Sequence, residues 1–185
     1  GEGTQMQMSY YKIKKSRIDH IFISHLHGDH FFGLIGLLTS YHLLRRANPL
    51  HIYGPKGLDE IINIQLSFSE TKPVYEMIFH EINCREPEVI YETPELTVTT
   101  FPVMHRIPTA GFLFQERNEL RKVLIEKVDE YNIPHTYIVE LKKGKDYSDN
   151  GEIVANDLVT TAPAPPRGYA FCADTLYTES IVRYI

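Results

Sequence analysis

Four side chains that bind metals in proteins lie within six residues of one another. The run from 24 to 30 reads S-H-L-H-G-D-H and directly follows an apolar, β-rich segment. His25 and His27 are two positions apart, so in an extended segment both imidazoles point to the same side and can share one cation. The glycine between them and the next pair permits a sharp turn, after which Asp29 and His30 can face a second cation. Two cations about 3.5–4 Å apart form a site for displacement at phosphorus or at an acyl carbon.

Two distant residues at the ends of predicted strands complete this set. His105 follows the strand Leu96 to Val103, and Asp174 ends the apolar strand Tyr169 to Ala173. An unpaired carboxylate at the end of a buried strand is costly, and its two oxygens can bridge two cations. The sequence therefore predicts six metal ligands: His25, His27, Asp29, His30, His105 and Asp174.

The chain has nine histidines, and five of them lie outside this set. His20 precedes the motif in the same strand, where a structural or supporting role is favoured over ligation. The other four are interpreted as structural or solvated: His42, His51, His80 and His135.

Composition excludes several classes of protein. With 185 residues, 43% of them hydrophobic and 23% charged, the chain is long enough for one full-sized domain and is not disordered in character. The net charge of −5 gives no overall basic field that would indicate nucleic-acid binding. Two cysteines exclude a disulfide scaffold and suit a reducing cytoplasm. No apolar run approaches the roughly 20 residues of a membrane span, so no membrane association is expected.

The elements that must position the site form a mixed pattern. Strands and helices alternate and are followed by further strands, which indicates an α/β or layered α+β fold. The predicted strands are Ile18 to Ser24, Leu50 to Tyr53, Val74 to Ile82, Val89 to Glu92, Leu96 to Val103, Gly111 to Gln115, Tyr137 to Leu141, Ile153 to Leu158 and Tyr169 to Ala173. Helical spacing is found over residues 29–46, 57–68, 117–131 and 178–185, whereas the first residues show no terminal element.

These motifs, in this order, resemble the metallo-β-lactamase superfamily of dinuclear metal hydrolases. Within it the chain looks like the ribonuclease Z family, whose members trim the 3′ trailer from precursor tRNA. The flanking segments that narrow the likeness read G-E-G-T-Q at 1–5, I-Y-G-P-K-G at 52–57 and Y-A-F-C-A-D-T at 169–175. The likeness spans essentially the whole chain.

The resemblance implies an αββα sandwich that is incomplete at both ends, because the family's first strand and last metal-ligand histidine lie outside residues 1–185. It implies that His25, His27 and His105 hold one metal and that Asp174 bridges to a second. Asp29 and His30 would hold the second metal, with Asp29 also acting on the attacking water. Two Zn²⁺ ions suit this mixed nitrogen and oxygen set, with Mn²⁺ or Fe²⁺ as alternatives. A cytoplasmic homodimer is also implied, and the chain by itself is expected to be weakly active or inactive.

The interval between His105 and Asp174 is long enough for an inserted arm. In the family that it resembles, an arm at this position binds precursor tRNA, and here it would span residues 116–147. Its basic stretch reads K-K-G-K at 142–145. By charge alone this stretch is a solvated turn, and its place in the family pattern makes it a candidate tRNA contact.

Two alternatives remain open from the sequence. One is another dinuclear hydrolase of the same fold, such as a small-molecule phosphodiesterase or an arylsulfatase-like enzyme. The other is a non-catalytic RNA-binding relative that retains the fold. The arm-length insertion argues against the first, and the intact metal motif argues against the second.

Overall fold

The computed structural model describes residues 1–117, 120–149 and 151–185. The chain divides into two compact units. The first unit comprises Gly1–Glu92, Val98–Phe114 and Tyr169–Ile185, and the second comprises Thr93–Thr97 and Gln115–Gly168.

The regular elements of both units follow in chain order. The α-helices are α1 (Thr4–Tyr10), α2 (Gly28–Leu43), α3 (Leu58–Phe68), α4 (Ile125–Glu130), α5 (Ile138–Lys142) and α6 (Asn156–Val159). The strands are β1 (His20–Phe22), β2 (Leu50–Gly54), β3 (Met77–Glu81), β4 (Glu88–Glu92), β5 (Leu96–Pro102), β6 (Ala110–Glu116), β7 (Lys122–Val123), β8 (Tyr147–Asp149), β9 (Glu152–Val154), β10 (Thr160–Thr161) and β11 (Gly168–Phe171). Short 3₁₀ helices cover Lys15–Arg17, His135–Tyr137 and Glu179–Tyr184. None of the helices in the described ranges has both the length and the apolar character needed to cross a lipid bilayer.

A parallel three-stranded sheet in the order β1-β2-β3 forms the centre of the first unit. Side chains alternate across a strand, so Leu50 and Ile52 of β2 lie in the core that the helices cover, whereas Tyr53 belongs to the opposite face. The helical core is filled from α2 by Phe31, Leu34, Leu37, Leu38 and Tyr41. The period of about 3.6 residues brings these five side chains to one side of the helix.

A second sheet, in the order β11-β6-β5-β4, covers the other face. Its inner residues include Ala110 and Phe112, which form a second core with Tyr53 and Ile82. The first unit is therefore layered as helices, parallel sheet and second sheet. The predicted layered α+β architecture is confirmed.

Arg46 connects three segments just beyond the end of α2. Its guanidinium donates to the backbone carbonyls of Ile18, Asn48 and Pro49 and, at 2.5 Å, to the carboxylate of Asp19. The group also lies over the rings of Tyr41 and Tyr75, 5.0 and 5.9 Å from their centroids. Arg46 thus joins the end of α2 to the segments that lead into β1 and β2.

Three histidines form a stacked array on the parallel sheet. The rings of His20 and His51 are 4.9 Å apart, those of His51 and His80 are 5.2 Å apart, and Tyr53 stacks on His80 at 4.3 Å. His51 Nδ1 lies 2.9 Å from His80 Nε2, which requires one nitrogen to donate and the other to accept. Burial is the main cause that lowers the pKa of both His20 and His80, and the nearby His51 lowers both further. The surroundings of His20 and His80 therefore favour the neutral form of these two rings.

We expect this array to make the protein sensitive to acid. Below the unfolded-chain pKa of about 6.5, the unfolded chain binds protons that folded His20 and His80 do not, so the free energy of unfolding falls as the pH drops from 7 to 5. His80→Gln should reduce this loss in urea denaturation with a chelator present at both pH values. The matched control is His135→Gln, because His135 is exposed beside Asp129. A loss in His80→Gln as large as in the unsubstituted protein would contradict the expectation.

The second unit has its own small core. Val128, Ile133, Leu141 and Val159 are buried together. Asn156 supports this core, since its side-chain amide donates to the carbonyls of Leu141 and Lys145.

The neck of this second unit is formed by Glu116 and Arg167. The backbone N–H of Glu116 donates to the carbonyl of Arg167 at 2.9 Å. The Arg167 guanidinium forms a bidentate ion pair with the Glu116 carboxylate, with Nη2 2.5 Å from Oε1 and Nε 3.0 Å from Oε2. Paired residues therefore lie near both ends of the longer segment of this unit, Gln115–Gly168.

Several predicted elements are wrong, most of them in the second unit. The helix predicted over 117–131 is limited to α4 and is preceded by β7, and its positions 118 and 119 lie outside the described residues. The strand predicted over Tyr137 to Leu141 is largely α5, because Leu141 is needed on the inner side of a helix in the core. The strand predicted over Ile153 to Leu158 ends at Val154 and gives way to α6. At the start of the chain, α1 was not predicted, although Met8 packs in the helical core.

Candidate metal centre

The segment that carries the first histidines is held between the two sheets. The N–H of Ile23 donates to the carbonyl of Tyr53, and the carbonyl of Ser24 accepts from the N–H of Ala110. Since these bonds fix the chain on both sides, His25 enters the centre with its side chain fully buried. At Gly28 the backbone turns into α2, and a Cβ there would lie 2.3 Å from the ring of Phe32.

Four of the six predicted ligands converge closely. One ligand atom from each of His25, His27, His105 and Asp174 lies within 4.8 Å of all the others. The carboxylate of Asp174 is at the centre of the group: its Oδ2 lies 3.4 Å from His25 Nε2 and 3.9 Å from His105 Nε2. His27 faces the group through Nδ1, which is 3.1 Å from His105 Nε2.

The other two predicted ligands lie next to this group in the first turn of α2. His30 Nε2 is 3.2 Å from Asp174 Oδ2 and 3.4 Å from Asp29 Oδ2. The Asp29 side chain is 74% exposed, whereas that of His30 is 20% exposed. His30 therefore stands between the central carboxylate and an accessible one.

His25 shows whether a cation suits this group. Its Nδ1 lies 3.0 Å from the Ser24 hydroxyl, and its buried Nε2 has no hydrogen-bond partner among the described residues. Burial lowers the pKa of His25, as does the charge of His30, whereas Asp174 opposes the shift. A neutral imidazole that donates from Nδ1 to Ser24 has its lone pair on Nε2, which is the form that binds a metal. An otherwise unsatisfied buried nitrogen aimed at a carboxylate fits a divalent cation.

The loop that delivers Asp174 is fixed to the loop that delivers His105. The N–H of Met104 donates to the Thr175 hydroxyl at 3.2 Å, and the N–H of Leu176 donates to the Met104 carbonyl at 2.9 Å. Asp174 itself has a φ of 53°, in the left-handed region that most residues avoid. Strained backbone of this kind persists where surrounding contacts hold it, and it is common at functional sites.

Three contributors to the site were not predicted from the sequence. Ser24 contacts the far nitrogen of His25, and Thr175 ties the two ligand loops. Arg106 lies with Nη2 2.7 Å from His27 Nε2. Each is adjacent in sequence to a predicted ligand, but adjacency does not indicate which way a side chain points in a loop.

The comparisons with known proteins agree with this geometry. The family model described as "Beta-lactamase superfamily domain" matches residues 4–124. The chain belongs to the β-lactamase superfamily. The superfamily fold together with the histidine and aspartate cluster supports a divalent metal at this site. The predicted superfamily architecture is thereby confirmed.

Within the superfamily, the chain is similar to proteins named ribonuclease Z. It is 45% identical to one from Bacteroides fragilis (strain YCH46) over 100% of this chain and 61% of the relative. It is 45% identical to one from Bacteroides thetaiotaomicron over 100% of this chain and 59% of the relative. The crystal structure of the short form of human tRNase Z is 36% identical with a TM-score of 0.58, covering 63% of this chain and 51% of that one.

The resemblance to ribonuclease Z predicted from the motifs is confirmed by these relatives. The chain spans about three fifths of the length of the curated relatives it matches, for example 61% of the B. fragilis protein.

Proposed function

We propose that the protein is a metal-dependent endoribonuclease that removes the 3′ trailer from precursor tRNA. The observation that carries the proposal is the convergence of three histidines on the Asp174 carboxylate, with all four ligand atoms within 4.8 Å. Similarity to proteins named ribonuclease Z along the whole chain supports this substrate over others.

The proposed metals are two Zn²⁺ ions, with Mn²⁺ or Fe²⁺ as alternatives for the same mixed donors. His25, His27 and His105 would hold one ion, and Asp29 with His30 would contribute to the second. The proposed bridging role of Asp174 is supported by its approach to His25 at 3.4 Å and to His30 at 3.2 Å. When bound, the ions supply a hydroxide near neutral pH and neutralise charge that develops on the phosphate.

The protein's own residues position the reaction. Ser24 fixes the ring of His25, and the bonds from Met104 to residues 175 and 176 hold His105 and Asp174 in one arrangement. Asp29 is proposed to accept a proton from the attacking water, since its carboxylate is exposed and lies 3.4 Å from His30. The expected products are a 3′-hydroxyl on the tRNA and a 5′-phosphate on the trailer.

The deciding experiment compares precursor tRNA with a cyclic nucleotide as substrates of the full-length protein. We expect metal-dependent cleavage of the tRNA at its trailer and little hydrolysis of the cyclic nucleotide. Asp29→Ala and His27→Ala should each abolish cleavage while leaving tRNA binding largely intact. Preference for the cyclic nucleotide would indicate a small-molecule phosphodiesterase of the same fold. Binding of tRNA without metal or cleavage would indicate a non-catalytic relative.

The protein is proposed to act as a cytoplasmic homodimer.

The arm over residues 116–147 is proposed to contact tRNA. The positive charge of the basic stretch is only partly balanced, because Lys143 and Lys145 share the single carboxylate of Glu140, at 2.8 and 2.5 Å. These hydrogen bonds lower the pKa of Glu140 to about 2. The Lys142 side chain is exposed and adds positive charge to the same surface.

Removing the arm tests its role. Because the arm lies within the compact segment Gln115–Gly168, the variant replaces residues 118–165, most of that segment, by a short Gly-Ser linker. We expect it to weaken precursor tRNA binding by at least about tenfold, the effect of losing several phosphate contacts. The ion pair of Glu116 and Arg167 is retained in this variant, so the linker joins ends that already meet. Hydrolysis of a small phosphodiester should persist.

A second variant tests how much of the tRNA binding comes from the positive charge of the arm. In it, Lys142, Lys143 and Lys145 are all replaced by alanine. It should reproduce part of the binding loss and flatten its salt dependence. Equal loss of tRNA cleavage and of small-substrate hydrolysis in the linker variant would show that the arm is structural.

A further inference from the structure

The positive charge of the chain is concentrated in its first 58 residues. These residues contain seven lysines and arginines and three acidic residues, a net charge of +4, whereas residues 59–185 contain 12 and 21 and carry −9. Four of the seven lie in one six-residue segment: Lys12, Lys14, Lys15 and Arg17. Charge asymmetry of this kind is typical of an electrostatic contact with nucleic acid, even in a chain whose overall charge is −5.

The acidic residues of the surrounding sequence leave this segment basic. Asp19 is the one acidic residue between positions 3 and 28, and its carboxylate already accepts a hydrogen bond from the Arg46 guanidinium. The side chains of Lys12, Lys14 and Arg17 are exposed. They are therefore accessible to an anionic partner.

Two exposed tyrosines directly precede the basic segment. Tyr10 is 78% exposed and Tyr11 is 67% exposed, and their rings meet edge to face with centroids 5.0 Å apart. Exposed aromatic rings next to cationic side chains form platforms on which proteins stack unpaired bases. Bases inside a duplex are already stacked on one another and cannot reach such rings, so this combination favours single-stranded nucleic acid.

Contacts with both neighbouring helices hold the segment in place. The N–H of Ile13 donates to the carbonyl of Met8 in α1, and the hydroxyl of Tyr41 in α2 donates to the carbonyl of Lys15. Because the backbone is held on both sides, less conformational freedom is lost when a partner binds, and this favours affinity.

Helix α1 connects these side chains to the candidate metal centre. Just before the helix, the N–H of Glu2 donates to the carbonyl of Asp29, a predicted ligand, at 3.3 Å. The seven residues of α1 cover about 10 Å at about 1.5 Å per residue. An RNA strand that leaves the metal centre along α1 therefore reaches Tyr10 and Tyr11 within a few nucleotides.

We propose that the basic aromatic surface, formed by Tyr10, Tyr11, Lys12, Lys14 and Arg17, binds single-stranded RNA, with bases stacked on the tyrosines and phosphates paired with the cations. The inference rests on the proposed function in naming the occupant, which is the unpaired 3′ trailer as it leaves the metal centre. A second copy of the chain fits this surface less well, because a symmetric contact would place the lysines of one copy against those of the other.

Binding of a labelled oligouridine of about ten nucleotides to the full-length protein, with a chelator present to prevent cleavage, tests the surface directly. Replacing both tyrosines by alanine should weaken binding at least about tenfold, on the scale of one stacked base lost. Tyr10→Phe combined with Tyr11→Phe keeps both rings and should stay within about twofold. Phe68→Ala is the matched control and should also stay within about twofold, because it removes a ring that is 88% exposed at the end of α3.

The lysines and the kind of RNA give further readings. Lys12→Gln combined with Lys14→Gln should lower the salt slope of oligouridine binding by about 1.4, the value for two phosphate contacts to a single strand. A blunt RNA duplex of the same length should bind the tyrosine-to-alanine variant and the unsubstituted protein equally. With precursor tRNA as substrate, that variant should have a raised KM for a long trailer and an unchanged KM for a trailer of one nucleotide.

Unchanged oligouridine affinity in the tyrosine-to-alanine variant would overturn the proposal, as would an equal loss of affinity for the duplex. If that variant is monomeric where the unsubstituted protein is dimeric, and still binds oligouridine normally, the surface is instead an interface between copies of the chain. The oligouridine measurements need no cleavage. If they are as expected but precursor tRNA is not cleaved, the surface stands and the proposed substrate fails.

Discussion

On the proposed function, replacement of Asp174 by asparagine should reduce cleavage of precursor tRNA by the full-length protein about a thousandfold. One oxygen of Asp174 approaches His25, His30 and His105, so this single carboxylate contacts three of the predicted ligands. Loss of the central negative charge removes several kcal/mol of stabilisation for the bound cations and for the charge of the transition state, and about 4 kcal/mol corresponds to this factor.

Asparagine is chosen because it has nearly the same shape as aspartate but lacks its negative charge. After glycine, it is among the residues that best tolerate the left-handed backbone, so the φ of 53° at this position is retained. Single-turnover cleavage and metal content should be measured together, and the free energy of unfolding of the metal-free protein should change little. Asp59→Asn is the matched control, since Asp59 lies exposed in the first turn of α3. Cleavage within tenfold of the unsubstituted protein would remove Asp174 from the centre of the mechanism.

Replacement of Arg46 by alanine should lower the free energy of unfolding by about 3 kcal/mol. The guanidinium side chain is only 6% exposed and donates to three backbone carbonyls and to Asp19. Hydrogen bonds from a charged group contribute about 1.5–3 kcal/mol each, and the total here is reduced because several of the acceptors are exposed and regain water. The rings of Tyr41 and Tyr75 also lose their cation–π partner.

The neighbouring arginine provides the control for this substitution. Arg45→Ala removes the same charge from an exposed side chain and should change stability by about 0.5 kcal/mol or less. Urea denaturation of both variants and the unsubstituted protein should give different midpoints with similar slopes. Equal midpoints for the two variants would show that the contacts of Arg46 do not stabilise the fold.

The first unit was largely predictable because its patterns are long. Apolar residues repeat over four turns of α2, and the motif that follows β1 contains its own turn signal at Gly28. The expectation that functional side chains follow strand ends singled out His105 and Asp174, whose ligand atoms lie within 4.8 Å of those of His25 and His27. What the patterns do not contain is side-chain direction within loops. The contacts of Arg46 and Arg106 were for this reason not predicted.

The second unit was predicted poorly because its elements are short. An apolar run such as Tyr137 to Leu141 satisfies both the two-residue period of a strand and one turn of a helix. Which period is adopted depends on partners elsewhere in the chain, and here Leu141 is buried with Val128 and Val159. Asn156, whose amide caps two carbonyls of that core, has no distinguishing feature in the sequence.

The pairing of Glu116 with Arg167 affects how the chain can tolerate changes in length between these two residues. Because Glu116 and Arg167 pair near the two ends of the segment Gln115–Gly168, we expect insertions or deletions between them to leave the pairing of β6 with β11 in place. His105 follows β5 and Asp174 follows β11. We therefore expect the distance between these two predicted ligands to stay the same when the number of residues between Glu116 and Arg167 changes. On the proposed function, the arm proposed to contact tRNA can therefore change in evolution or by engineering without moving the proposed metal ligands.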